Sequence, residues 1–167
     1  VRVLSYNTTE GNGCLCQASS LELIHSMQSV SDTSDRAVER SLPETFNFAS
    51  DIVDRWADDP DRLALICVDA EGRDTRYNFA DISRRSSQLS HVLAQEGIGA
   101  GDRVIVMLPR IAEWQIAMTA LLRIGAVPIP CITMLTAKDL AYRAEHSGAV
   151  GVIARAEDTE KLSALTM

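Results

Sequence analysis

The residues able to do chemistry are scattered along this chain, and few are spaced for it. Gly97-Ile98-Gly99-Ala100-Gly101 has the glycine density of a phosphate-binding loop. Such a loop follows a strand and opens a helix, so that unpaired helix N–H groups point at the phosphate. Here a helical pattern precedes the run and a strand pattern follows it, which makes it a helix C-cap and turn. Cys14 and Cys16 form a C-x-C with no second Cys/His pair nearby, so a zinc site is not expected. Cys67 and Cys131 sit in apolar runs, where reduced thiols behave as small core residues. Asp58-Asp59-Pro60-Asp61 groups three acids, but no regular series of oxygen ligands follows, so it reads as a solvated turn. His25, His91 and His146 have no nucleophile beside them, and no G-x-S-x-G or G-x-x-x-x-G-K-[ST] occurs. His146 suits the negative end of a helix. Arg110 and Arg143 are candidate anion binders. Pairing with a nearby carboxylate or helix end is the simpler role for both.

These groups need a scaffold, and the composition supplies one. The 167 residues are 46% hydrophobic and 23% charged, enough to build a real core. The formal net charge of −7 excludes nucleic acid as a main partner, because phosphate backbones need a basic surface. No apolar run is long enough for a transmembrane segment. The opening Val1-Arg2-Val3-Leu4 is neither a signal peptide nor a transit peptide. A cytoplasmic location is expected, with the mitochondrial matrix as the eukaryotic alternative.

Residues 1–41 are rich in Ser, Thr, Asn and Gly and contain no Lys, which reads as a flexible leader not necessarily native to the domain. Ordered structure is expected from about 42 to 167. Ala49, Ile52, Val53 and Trp56 form a helical stripe that ends before Pro60. Leu63 to Val68 and Thr75 to Tyr77 read as the strands of a hairpin around Ala70-Glu71-Gly72-Arg73. Asn78 caps a helix with Asp81 in its first turn and with Phe79, Ile82, Leu89, Val92 and Leu93 on the buried stripe. Strands are then expected at Val104–Leu108, Val127–Pro130 and Val150–Ala154. A helix that is apolar nearly all round, Ile111–Ile124, separates the first two, and one capped by Thr136 and Asp139 separates the last two. The β-α-β-α-β order predicts an α/β fold: an incomplete, mostly parallel sheet with flanking helices, plus the β-hairpin.

Gly101-Asp102-Arg103-Val104, Leu108-Pro109-Arg110 and Glu113-Trp114 occur in the order and spacing of the adenylate-forming enzymes, and Gly125-Ala126-Val127-Pro128-Ile129-Pro130, Leu135-Thr136 and Asp139-Leu140-Ala141-Tyr142-Arg143 continue the pattern. The chain thus resembles the AMP-dependent synthetase/ligase superfamily over about 42–165. Phe46-Asn47-Phe48-Ala49, Trp56 and Pro109-Arg110 most resemble its medium-chain acyl-CoA synthetase branch. The resemblance implies the first part of a large N-terminal domain. The whole enzyme is an acid–thiol ligase that joins a short- to medium-chain carboxylic acid to ATP, with Mg²⁺, and passes the acyl group to CoA. Aryl-CoA ligases and amino-acid adenylation enzymes are the alternatives within the superfamily; a truncated, non-catalytic interaction protein is the alternative outside it.

In such enzymes the pyrophosphate loop, the Mg²⁺ site and the transition-state lysine lie downstream of this segment. Lys138 and Lys161, the only lysines, match no catalytic motif. No catalytic or metal-ligating residue is therefore assigned, and ATP, Mg²⁺ and CoA are not expected to bind well to this segment alone. One position is a candidate CoA contact. Met134 stands where medium-chain relatives often carry Gln, and a thioether cannot make the amide's hydrogen bonds. An unpaired sheet edge makes self-association an expected property.

Overall fold

Side-chain caps and left-handed glycines set most of the element boundaries. The computed structural model describes residues 2–6, 43–163 and 165. β1 is Arg2–Tyr6. A π-helical turn, Ala49–Asp54, runs into the short α1, Arg55–Ala57. β2 (Leu63–Val68) and β3 (Asp74–Asn78) form the antiparallel hairpin. α2 is Phe79–Gln95, entered through a capping box in which Asn78 accepts from the Asp81 N–H and Asp81 accepts from the Asn78 N–H. β4 (Arg103–Met107), α3 (Ala112–Arg123), β5 (Val127–Pro130), α4 (Ala137–Ser147) and β6 (Gly151–Arg155) alternate as expected. A 3₁₀ turn at Ala156–Asp158 leads into α5, Thr159–Leu162. Thr136 and Asp139 form the second capping box, and Gly148 ends α4 at φ +63°.

The strands run parallel in the order β1-β6-β4-β5, and the hairpin forms a separate two-stranded sheet. β4 is buried on both faces, as a central parallel strand must be. Val104 and Val106 pack with Leu93 of α2 and with Ala117, Ala120 and Leu121 of α3. Ile105 and Met107 face the other way, onto Leu140 and Ala144 of α4 and Leu162 of α5. Successive strand residues point to opposite faces, so this one strand joins both halves of the core.

Three expectations change. Residues 2–6, assigned by composition to the leader, form β1 on the β6 edge; the free N–H and C=O groups of that edge offer a partner that composition does not reveal. The remainder of the leader, with Cys14, Cys16, His25 and the weak helical pattern of Leu21–Met27, lies outside the described residues. Val92 is exposed, and the serines Ser86 and Ser90 are buried in its place. α2 meets α3 along that line, and small side chains permit the approach. Trp56 is also partly exposed, held edge-on by Phe79 with the Arg62 guanidinium 4.3 Å above its ring.

Candidate functional site

The sheet opens where two neighbouring strands send the chain to opposite faces. β4 leads through Leu108–Ile111 to α3 on one face; β5 leads through residues 131–136 to α4 on the other. The crevice outside the carboxyl ends of strands at such a switch point is where open α/β sheets bind ligands. A cleft of about 690 Å³ lies there. Leu108, Pro109, Arg110, Ile111, Trp114 and Gln115 form one wall, Pro130 to Met134 form the other, and Leu65 of the hairpin completes it.

Each wall is held by identifiable bonds. On the α3 side the Ile111 N–H donates to the Pro109 carbonyl at 2.9 Å, and the Trp114 N–H to the Ile111 carbonyl at 3.1 Å. On the α4 side Lys161 donates to the Thr133 carbonyl at 2.7 Å and pairs with Asp158 at 3.1 Å. Asp158 is buried and also receives Arg155 Nε at 3.1 Å. Lys161 thus fastens the rim to α5. The Asp158–Lys161 spacing is visible in sequence, but the Thr133 partner, 28 residues away, is not. On either side of Thr133 the rim is exposed: Ile132 at 61% and Met134 at 82%.

The polar content is sparse. Arg110 is exposed at the cleft mouth and makes no ion pair among the described residues. Arg143 lies on α4, likewise without an ion pair among the described residues; its charge bears on Asp139 and on the Cys131 thiol. Burial pushes the Cys131 thiol up, with Arg143 opposing, so the group is a protonated wall atom and not a nucleophile. His91 Nδ1 lies 2.7 Å from the Ser87 carbonyl, and His146 stacks on Tyr142 outside the cleft. Among the described residues no group of three or more His, Cys, Asp or Glu side chains could hold a metal. An apolar cleft with one cation at its mouth suits a ligand with an apolar arm and an anionic end. It does not fit Mg²⁺ or a triphosphate.

The geometry agrees with what the chain is similar to. A model of the AMP-binding enzyme family matches residues 53–166. The chain belongs to that family. It is 38% identical over 119 residues to the human mitochondrial acyl-coenzyme A synthetase ACSM3, covering 67% of this chain and 20% of that protein. It is 36% identical over 126 residues to the mitochondrial acyl-coenzyme A synthetase ACSM4 of Mus musculus, covering 71% and 22%. The crystal structure of the Brucella canis acyl-CoA synthetase matches with a TM-score of 0.67 and 30% identity over 71% of this chain and 22% of that one. The chain therefore spans about a fifth of the length of the curated relatives it matches. The adenylate-forming resemblance and the α/β architecture both stand. Every strand of the parallel sheet except β1 lies inside the region that the AMP-binding family model matches.

Proposed function

We propose that residues 42–167 form the first section of the large domain of an acyl-CoA synthetase. The whole enzyme activates a short- to medium-chain carboxylic acid with ATP to an acyl-adenylate and transfers the acyl group to CoA. A carboxylate is a poor electrophile, and attachment of AMP converts one of its oxygens into a leaving group. The described residues carry no step of that chemistry. Their contribution is a rigid parallel core and one apolar wall at its carboxyl edge. Met134 on that rim offers an apolar contact to CoA in place of an amide's hydrogen bonds. A mitochondrial location is favoured by the mammalian relatives, which are mitochondrial enzymes by name, with the cytoplasm as the alternative.

The observation that carries this reading is the cleft: the switch-point loops that line it are those that hold Leu108-Pro109-Arg110 and the Pro130–Met134 rim. The test is a chimera in which residues 43–163 replace the matching segment of human ACSM3. Carboxylate-dependent ATP–pyrophosphate exchange is expected from the chimera, and background exchange from the 167-residue chain alone. A folded chimera without exchange, or exchange by the chain alone, overturns the proposal.

A further inference from the structure

The rim of the cleft, residues 131–135, is fixed at both ends and tied once in between. At its start the Cys131 N–H donates to the Val106 carbonyl at 2.9 Å. At its close Thr136 accepts from the Asp139 N–H at 3.2 Å and opens α4. Cys131 and Leu135 pack on the cluster that holds Leu140 and Leu162, while Ile132 and Met134 are exposed. A loop held only at its ends can open locally between them.

Lys161 supplies the middle tie. Among the described residues it is the one side chain that bonds to the main chain of 131–135, through the Thr133 carbonyl at 2.7 Å. Its second bond, at 3.1 Å, goes to Asp158 Oδ1. Asp158 is buried, and a buried carboxylate has to be paired. Its other oxygen receives Arg155 Nε at 3.1 Å, and Arg155 in turn pairs with Glu157. Arg155 ends β6, and Leu162, next to Lys161, anchors α5 in the core. The ammonium therefore joins a loop that leaves β5 to a carboxylate fixed beside β6, and its charge strengthens both bonds. Lysine suits the position, because its three N–H groups serve two acceptors while the side chain stays 38% exposed. The clasp is made of internal bonds and does not depend on how far the cleft is open.

We propose that Lys161 is a positioning residue: clasped by Asp158, it sets the place of the 131–135 rim and so the point at which Met134 meets CoA. The consequence for CoA rests on the ligase reading of the site; the clasp itself does not.

Two readouts separate these parts. The first is alkylation of Cys131 by iodoacetamide in the 167-residue chain, read by peptide mass spectrometry, with Cys67, buried in the hairpin, as the internal reference. Lys161→Met should speed labelling of Cys131 about fivefold, the effect of losing one hydrogen bond at a half-exposed site, and leave Cys67 unchanged. Loss of a nearby cation by itself disfavours the thiolate and slows the reaction, so a faster rate reports the rim and not the charge. The second readout is steady-state kinetics of the ACSM3 chimera. There Lys161→Met should raise the KM for CoA about fivefold, with kcat and the KM for ATP little changed. Lys161→Arg, which can serve both acceptors, should recover most of each effect. An unchanged Cys131 rate, or equal acceleration at Cys131 and Cys67, overturns the proposal. So does a KM for CoA that stays constant in an active chimera. A parent chimera without exchange overturns the ligase reading instead, and the labelling rates then decide the clasp by themselves.

Discussion

The two ends of α3 are built for different purposes. At its amino end Ile111, Trp114 and Gln115 line an open apolar cleft, opposite a rim that exposes Ile132 and Met134. At its carboxyl end Arg123 makes two bonds to the Asp54 carboxylate, at 2.7 and 2.8 Å, and a third to Ser86 Oγ at 3.2 Å. Ser83 donates to Asp54 at 2.6 Å, and the Asn47 amide caps the Leu122 and Arg123 carbonyls at 3.0 and 3.2 Å. Asn47 also accepts the Ala49 N–H at 2.9 Å, so one side chain serves two helix termini. One end is knotted and half-buried; the other is left open. A rigid helix anchored at one end can present a site at the other without that site having to supply stability.

Breaking the knot should cost most. Asp54→Asn leaves the half-buried Arg123 charge without its partner, with an expected loss of about 2 kcal/mol at neutral pH in urea unfolding. Its hydrogen bond from Arg123, opposed by burial and helped by Ser83, holds the Asp54 carboxyl below its ordinary value. A carboxylate whose folded pKa is depressed adds stability above its unfolded pKa, near 4, and loses it as pH falls through the folded value. The gap between parent and variant should therefore close below about pH 4. A gap that persists at pH 2 would mean that packing, not charge, holds this end.

Damage at the open end should cost less. Thr136→Ala removes the cap where the rim enters α4, at an expected cost of about 1 kcal/mol, while Thr136→Ser should recover most of it. A larger loss would make the rim part of the stability core. Met134→Gln should change stability by less than about 0.5 kcal/mol, since the side chain is exposed. It should tighten CoA binding in the ACSM3 chimera, read as a lower KM for CoA with kcat little changed. An unchanged KM would remove Met134 from the CoA path.

Much of the scaffold is legible in the sequence. The Asn78 cap, the Thr136 capping box, the hairpin, the Gly148 stop and β5 follow from local chemistry, because a cap or a left-handed glycine involves only residues a few positions apart. The resemblance gave Leu108-Pro109-Arg110 and Gly125–Pro130 as motifs and Met134 as a candidate contact; that residues 108–111 and 130–134 face each other across a cleft is read from the structure alone. The misses share a cause. Periodicity puts Val92 on the buried stripe of its helix and Trp56 on one stripe with Ala49, Ile52 and Val53, yet burial at those positions depends on which helix arrives. The partners Arg123–Asp54, Asn47–Arg123 and Lys161–Thr133 are 69, 76 and 28 residues apart, and no local spacing encodes them.

The sequence by itself determined the strand and helix order, the capped termini and the family, because each is carried by near neighbours or by a linear motif. Tertiary structure alone decided that β4 lies between β6 and β5, that β1 closes the β6 edge, and that the ends of α3 differ. Those outcomes depend on main-chain groups and half-buried charges finding distant partners. Partners of that kind are chosen only when the strands are stacked side by side and the two faces of the core close.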